Sequence, residues 1–246
     1  MHAVITAGGT VDGELAAAMR TRVKALASLR ERTLIDVALA ACDGAGIDDV
    51  LVVGGAEVRA HLSGRSNVRI VEADADGRVN VLRALDGWPG DRFVYLSSDL
   101  PFVSADGLRT FVTRSAEFAV TMALADVTAY VRRFPGAPAH AVSLRGERFV
   151  NGSAFVIGPE AVAPARELAT KLFAARKNLA RLALLLGPAL CVRFAARRLG
   201  LSDLERYGTR RLGVRVAAIR GCDPGLCYDV DTLDDYAYAR AHAGGA

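Results

Sequence analysis

The first half of the chain alternates short apolar segments, rich in β-branched residues, with segments whose apolar residues recur at helical spacing. Strands are predicted at residues 2–6, 49–53, 68–72, 93–97 and 118–123. Helices are predicted between them at residues 34–43, 58–62, 79–85 and 105–114. Strands that alternate with helices form a mostly parallel sheet covered on both faces. The pattern therefore predicts an α/β protein with a three-layer α/β/α sandwich.

The second half departs from this alternation. Strands are predicted at residues 139–144, 149–157 and 213–220, and the first two pair around the turn at Arg145-Gly146-Glu147 as an antiparallel insertion. Helices are predicted from Pro159 to about Leu186, then as far as Leu199, and finally at 233–241. Because α/β folds of 246 residues often form one domain and no repeat or linker interrupts the chain, residues 1–246 are predicted to be a single domain.

Composition and charge narrow the class of protein. Hydrophobic residues make up 52% of the chain and charged residues 24%, which supports one large core and argues against disorder. The net charge of +4 is modest and the arginines are dispersed, so nucleic acid is not an expected partner. The four cysteines and four histidines lack zinc-site spacing, and reduced thiols are expected. Without a signal-peptide pattern, the expected location is the cytoplasm.

One uncharged stretch, residues 182–192, tests the expectation of a globular protein. It lies between Arg181 and Arg193 and is broken by Gly187-Pro188. Eleven residues are too few for a membrane span, which needs about 20. We expect a core helix interrupted at Gly187-Pro188. The alternative is a lipid-facing surface flanked by arginines, a peripheral contact with a membrane.

The segment Ala7-Gly8-Gly9 follows the first predicted strand, and Lys24 comes soon after it. Glycines let backbone amides approach a phosphate closely, and a lysine adds positive charge. The segment matches neither the P-loop nor the dinucleotide-binding pattern. It is still consistent with a triphosphate held between amides and Lys24, with Arg20 and Arg22 as alternative cations.

Three carboxylates suggest a metal site. Asp99 follows the predicted strand at 93–97, at the edge where open α/β sheets bind ligands. Near the C-terminus, Asp229 and Asp231 alternate in an extended segment and so point to the same side. Like charges on one face repel unless a cation, solvent or a helix cap compensates them. A divalent ion shared by Asp99 and this pair accounts for all three.

Taken together and in this order, these segments resemble those of the MobA-like NTP transferases, the molybdenum-cofactor-type nucleotidyltransferases. The resemblance rests on the segments Val4-Ile5-Thr6-Ala7-Gly8-Gly9, Lys24-Ala25-Leu26, Ser98-Asp99-Leu100-Pro101 and Asp229-Val230-Asp231-Thr232-Leu233-Asp234-Asp235. It covers most of residues 1–125 and 213–242. It implies a nucleotide-binding fold of the glycosyltransferase-A type, in which 1–125 bind the nucleotide, 126–212 form an acceptor-side insertion and 213–246 carry metal ligands and the last helix.

The resemblance also implies roles for individual residues. Ala7, Gly8 and Gly9 would contact the base and phosphates, Lys24 the phosphates, and Asp99 with Asp231 a Mg²⁺ or Mn²⁺ ion. Family members usually have a shorter glycine-rich loop, whereas residues 10–20 here form a longer, partly helical one. The segments 132–153 and 175–178 look like those of a less characterised bacterial subgroup.

The expected activity is transfer of a nucleoside monophosphate from an NTP to a small phosphorylated or anionic acceptor, with release of pyrophosphate. Lys24 and Asp99 are the expected catalytic residues. The basic residues expected to grip the acceptor are Arg132, Arg133, Arg176 and Lys177. Two alternatives stay open: glycosyl transfer from a nucleotide sugar on the same fold, and a non-catalytic nucleotide-binding regulatory protein.

Overall fold

The computed structural model describes residues 1–175 and 178–243. The strands are β1 (His2–Thr6), β2 (Ser28–Leu29), β3 (Arg32–Thr33), β4 (Asp49–Gly54), β5 (Val68–Glu72), β6 (Phe93–Ser97), β7 (Val120–Asp126), β8 (Ala141–Leu144), β9 (Glu147–Ile157) and β10 (Val216–Ile219). The helices are α1 (Gly13–Met19), α2 (Leu34–Gly44), α3 (Ala56–His61), α4 (Gly77–Leu85), α5 (Ala105–Arg114), α6 (Val127–Arg133), α7 (Pro159–Ala175), α8 (Leu179–Leu186), α9 (Pro188–Ala195), α10 (Leu201–Leu212) and α11 (Leu233–His242).

The main sheet has the strand order β10-β7-β9-β6-β1-β4-β5, with β8 added beside β9. β1 is parallel to both β4 and β6, β4 to β5, and β7 to β10. The predicted antiparallel pair is β8–β9, and β9 runs on into the main sheet, antiparallel to β6 and β7. The predicted mostly parallel α/β sheet is confirmed.

Both faces of the sheet are buried, as a three-layer sandwich requires. Val4 and Ile5 are adjacent in β1, and both are 0% exposed. Because successive strand residues point to opposite faces, Ile5 packs with Leu39 of α2 and Phe111 of α5, whereas Val4 packs with residues of the α4 side. Helices therefore cover the sheet on both sides.

Two helices were not predicted. α6 follows β7 directly, and α10 lies between the predicted helix that reaches Leu199 and β10. The sequence of α10 is largely polar, and its few apolar residues recur at helical spacing, so it forms an amphipathic surface helix. Its start is fixed by Asp203, which is 6% exposed and accepts a 3.0 Å hydrogen bond from the backbone N–H of Gly200.

The stretch 182–192 does break at Gly187, which ends α8 before Pro188 begins α9. The prediction of a core helix is wrong, however, because Leu184 is 80% exposed and Val192 66% exposed. α8 packs on α7 and α9, and its Leu185 carbonyl accepts a 2.9 Å hydrogen bond from the Tyr207 hydroxyl of α10, but these contacts leave Leu184 and Val192 uncovered. Among the residues that the structure describes, no helix is long and apolar enough to cross a membrane.

Candidate active site

The carboxyl ends of β1 and β6 bring the two predicted motifs together. These strands are parallel neighbours, with Thr6 aligned to Ser97. The residues that follow them, Ala7-Gly8-Gly9 and Asp99, therefore leave the sheet side by side at the same edge. The N–H of Ser98 donates to the carbonyl of Thr6 over 3.1 Å, and this hydrogen bond joins the ends of the two strands. Open parallel sheets bind ligands at this edge.

Lys24 reaches this edge because the long loop after Gly9 folds back on itself. Thr10 and Val23 form an antiparallel bridge, and α1 occupies the excursion between them. The backbone N–H of Lys24 then donates to the carbonyl of Gly9 over 3.0 Å. The long loop thus closes and returns the lysine to the glycines.

The side chain of Lys24 joins two of the predicted carboxylates. Its Nζ lies 2.5 Å from Oδ2 of Asp99 and 2.7 Å from Oδ1 of Asp231. The Lys24 and Asp99 side chains are 14% and 12% exposed, whereas Asp231 is 65% exposed. Burial on its own lowers the pKa of Lys24, but the charges and hydrogen bonds of Asp99 and Asp231 outweigh it and raise the pKa above its ordinary value. Lys24 is therefore a charged ammonium held among acids.

Asp229 is the third of the predicted carboxylates, and it is less exposed than Asp231. Its Oδ2 accepts a 2.8 Å hydrogen bond from the hydroxyl of Ser153 on β9, and the N–H of the next residue, Val230, donates to the carbonyl of Asp99 over 3.1 Å. Burial, followed by the negative charges of Asp99 and Asp231, raises the pKa of Asp229 to about 7. Such a shift is typical of carboxyls crowded into a functional site.

The three carboxylates offer oxygen donors for a divalent cation. The described residues contain no set of three or more His, Cys, Asp or Glu side chains already arranged to hold a metal ion. However, Oδ1 of Asp99 and Oδ1 of Asp229 are buried, and neither has a hydrogen-bond partner among the described residues. Buried carboxylate oxygens need such a partner or a cation, and hard oxygen donors suit Mg²⁺. These two oxygens suit the ion that the sequence predicts, and its ligand set stays a prediction.

A helix cap holds Asp231 in place. Oδ2 of Asp235, in the first turn of α11, accepts hydrogen bonds from the N–H groups of Asp231 and Thr232 at 3.2 and 2.8 Å, and from the Thr232 hydroxyl at 2.7 Å. Thr232 accepts in return from the N–H of Asp235, which makes a capping box. Asp235 is 1% exposed, so this carboxylate has a structural role.

Gly8 packs against Ala73 and Asn80, two residues that the sequence did not single out. A Cβ on Gly8 would lie 2.7 Å from both Cβ of Ala73 and Nδ2 of Asn80, whereas one on Gly9 would meet only Lys24, at 4.0 Å. Asn80 is 4% exposed, accepts from the N–H of Asp74 at 2.6 Å and donates to the carbonyl of Asp74 at 2.9 Å. Its one sequence signal was an asparagine within an apolar helical pattern.

The residues predicted to bind the acceptor are not assembled with these groups. Arg132 and Arg133 are exposed at the end of α6, and the Arg133 guanidinium lies 5.6 Å from the centre of the Phe134 ring. Phe134 in turn packs 5.1 Å from Tyr228, the neighbour of Asp229, ring centre to ring centre. Arg176 and Lys177 lie outside the described residues.

Arg20 and Arg22, the alternatives to Lys24 for binding the phosphates, lie among other residues. Arg22 pairs with Asp12 at 2.5 Å, and its side chain is 74% exposed. Arg20 is exposed and ends α1 in the left-handed conformation, with φ of 56°. The structure therefore brings Lys24, and neither arginine, to Asp99.

Solved structures share this fold. A hypothetical transferase from Thermus thermophilus superposes with a TM-score of 0.79 at 24% identity, covering 96% of this chain and 99% of its own. A putative glucose-1-phosphate thymidylyltransferase from Bacillus anthracis has a TM-score of 0.60 at 15% identity, covering 100% and 96%. A 2-C-methyl-D-erythritol 4-phosphate cytidylyltransferase, also from Thermus thermophilus, has a TM-score of 0.57 at 18% identity, covering 98% of each chain.

None of the curated proteins compared with the chain matches it. The model of the MobA-like NTP transferase domain matches residues 3–189. That span includes both glycines, Lys24, Asp99, Asn80 and Ser153, and it confirms the resemblance drawn from the sequence. The chain belongs to the MobA-like NTP transferase domain family and is a nucleotidyltransferase.

Proposed function

We propose that the protein transfers a nucleoside monophosphate from an NTP to a small phosphorylated or anionic acceptor, with Mg²⁺ or Mn²⁺, and releases pyrophosphate. The observation that carries this proposal is the largely buried Lys24 ammonium, which bridges Asp99 and Asp231 beside the Gly8-Gly9 loop. A nucleotide triphosphate needs both a cation for its leaving pyrophosphate and carboxylates for its metal. Here these groups share one edge of the sheet.

The glycine loop supplies the backbone side of the nucleotide site. Ala7 is buried, while Gly8 and Gly9 lead out of the sheet towards solvent. Their lack of a Cβ leaves room for phosphate oxygens to approach the amides. Gly8 also lies against Asn80 and Ala73, so the β5–α4 connection forms the wall beside the phosphates and is the natural place for the base.

The charged groups act on the transferred phosphate. Asp99 and Asp231, with Asp229 behind them, would hold the metal ion, which when bound withdraws charge from phosphate oxygens. Lys24 stabilises negative charge on the departing pyrophosphate, a contact that strengthens as the bond to the α-phosphate breaks. Ser153 orients Asp229 through its hydrogen bond. The nucleophile is an anionic oxygen of the acceptor, a phosphate oxygen where the acceptor is phosphorylated, which bonds to the α-phosphorus as the bond to the pyrophosphate oxygen breaks.

The acceptor is proposed to approach from the second half of the chain. Arg132 and Arg133 provide positive charge at the end of α6. Arg176 and Lys177 are further candidates for binding the acceptor. Arginine suits this role because its planar guanidinium binds phosphate with paired hydrogen bonds. Acceptor and nucleotide would then meet between α6 and the glycine loop.

The test is pyrophosphate release by the whole protein with each of the four NTPs and Mg²⁺, using sugar phosphates, polyol phosphates and molybdopterin-like compounds as acceptors. Acceptor-dependent release is expected with one NTP. NTP binding without release in any combination would contradict the proposal and favour the regulatory protein. Transfer from a nucleotide sugar with release of the nucleoside diphosphate would instead favour the glycosyltransferase.

A further inference from the structure

The α8–α9 hairpin is an apolar element with little of the fold around it. α9 has the sequence Pro-Ala-Leu-Cys-Val-Arg-Phe-Ala, with a single charged residue. A helix of this composition is expected to be buried on all sides. Instead Leu190 alone in α9 is buried, while Val192 is 66% exposed and Phe194 is 70% exposed. Leu184 on α8 is 80% exposed.

The surroundings of this hairpin are strongly basic. Residues 178–215 contain eight arginines and only two acidic residues, Asp203 and Glu205. Both acids are engaged within the fold: Asp203 accepts from Arg206 and from Arg193, and Glu205 accepts from the N–H of Ala218 at 3.0 Å. Arg193, Arg197 and Arg198 are exposed beside Val192 and Phe194.

A groove joins the apolar and basic parts. It is lined by Phe194 and Arg197 after α8, and by Leu144 and Arg145 at the β8–β9 turn. The groove encloses about 590 Å³. It therefore combines an exposed aromatic ring with two guanidinium groups, a combination that suits a ligand with both an acyl portion and a phosphate.

We propose that the α9 surface, defined by Leu184, Val192 and Phe194 with Arg193, Arg197 and Arg198, seats the protein on an anionic lipid bilayer. The apolar side chains enter the acyl region at the headgroup boundary, and the arginines bind lipid phosphates around them. This proposal goes beyond nucleotidyl transfer and does not depend on it.

Charge decides between a bilayer and a second copy of the chain. A symmetric dimer through this surface would set the same patch against itself, so that arginines would face arginines. Like charges across an interface oppose association. An anionic bilayer offers the opposite charge over an extended plane, and α9, about 12 Å long at 1.5 Å per residue, can lie flat in it.

The location leaves the nucleotide site free. Phe194 and Arg197 border a groove with Leu144 and Arg145 at the β8–β9 turn, whereas Lys24 and Asp99 pair beside the glycine loop, at the ends of β1 and β6. Substitutions on the α9 surface are therefore expected to leave pyrophosphate release in vesicle-free solution unchanged. Binding to vesicles and activity can be measured separately.

The experiment is vesicle flotation of the whole protein with phosphatidylcholine alone and with phosphatidylcholine containing phosphatidylglycerol. We expect flotation only with the anionic vesicles, and its loss at about 1 M salt, where the Debye length falls to about 3 Å. Val192→Asp/Phe194→Asp should lower binding about tenfold or more, and Arg197→Gln/Arg198→Gln should lower it as well. All these side chains are exposed, so the melting temperature should hold.

The matched pair is Val192→Asp against Val131→Asp, which places one aspartate at a valine 48% exposed on α6. The Val131→Asp variant should float like the wild type. Wild-type protein that stays unbound on anionic vesicles would overturn the proposal, as would equal flotation of the Val192→Asp/Phe194→Asp variant. A wild-type dimer in sedimentation velocity that this variant dissociates, without any vesicle binding, would assign the surface to a second copy and also overturn it.

Discussion

Lys24 Nζ lies 2.5 Å from Asp99 Oδ2, although the two residues are 75 positions apart in the chain. The contact joins the end of the glycine loop to the end of β6, and the second contact of Lys24, with Asp231, adds the C-terminal segment. One ammonium group thus connects the three parts of the sequence that carry the family resemblance. This convergence makes Lys24 the first residue to test.

Lys24→Ala is expected to lower kcat for pyrophosphate release by about 100-fold, since preorganised charges that stabilise a developing negative charge contribute on this scale. Steady-state kinetics with saturating NTP and acceptor measure the effect. The control is Arg22→Ala, which removes a cation of the same loop whose ion-pair partner is the exposed Asp12. Near-normal turnover of Lys24→Ala would show that Lys24 does not contribute to catalysis.

Asp99→Asn should reduce Mg²⁺-dependent NTP affinity by about tenfold or more, because it keeps the shape of the side chain but removes the charge that a metal ligand needs. Titration calorimetry with and without Mg²⁺ separates metal-dependent from metal-independent binding. Asp106→Asn is the control, because its side chain is 90% exposed on α5. If both variants bind NTP equally well in Mg²⁺, Asp99 is not a metal ligand.

Gly8→Ala and Gly9→Ala are expected to differ sharply. An added methyl at Gly8 lies 2.7 Å from Ala73 and Asn80, closer than atoms can pack, so the loop must shift and NTP affinity should fall. At Gly9 the nearest atoms are 4.0 Å away on Lys24, so the fold should tolerate alanine. Thermal melting and NTP titration of both variants test this, and identical behaviour would show that the tight packing around Gly8 does not matter.

Asn80→Ala is expected to destabilise the protein by about 1–3 kcal/mol, because it leaves the N–H and carbonyl of Asp74 without their buried partner. The same change should weaken NTP binding by loosening the wall beside Gly8. Denaturant unfolding and NTP titration measure the two effects. Asn67→Ala, which removes an exposed amide bonded to Asp43, should change neither.

Arg132→Gln/Arg133→Gln should raise the KM for the acceptor with little change in NTP affinity, since these arginines lie on α6 rather than beside the glycine loop. Arg176→Gln/Lys177→Gln tests the second basic pair in the same way. Initial rates at varied acceptor concentration distinguish the two pairs. Normal acceptor kinetics for both double variants would mean that the acceptor is held elsewhere.

Much of the fold and the outline of the site could be predicted from the sequence alone. The first-half strands and helices lie within a few residues of their predicted positions because apolar periodicity is a local property of the chain. The order of the glycines, Lys24, Asp99 and the final aspartates was sufficient to predict the family. Nothing local, however, could show that β9 enters the main sheet between β6 and β7, because strand pairing depends on distant residues.

Tertiary structure decided how these residues interact. The carboxylates were recognisable as a group, but only the fold shows that Lys24 bridges Asp99 and Asp231, that Ser153 holds Asp229, and that Asn80 packs on Gly8. It also reversed the expectation for residues 182–192, whose apolar sequence predicted burial. An apolar sequence favours burial of its side chains. Whether other elements of the same chain cover those side chains depends on the tertiary packing. For α9 they leave Val192 and Phe194 exposed.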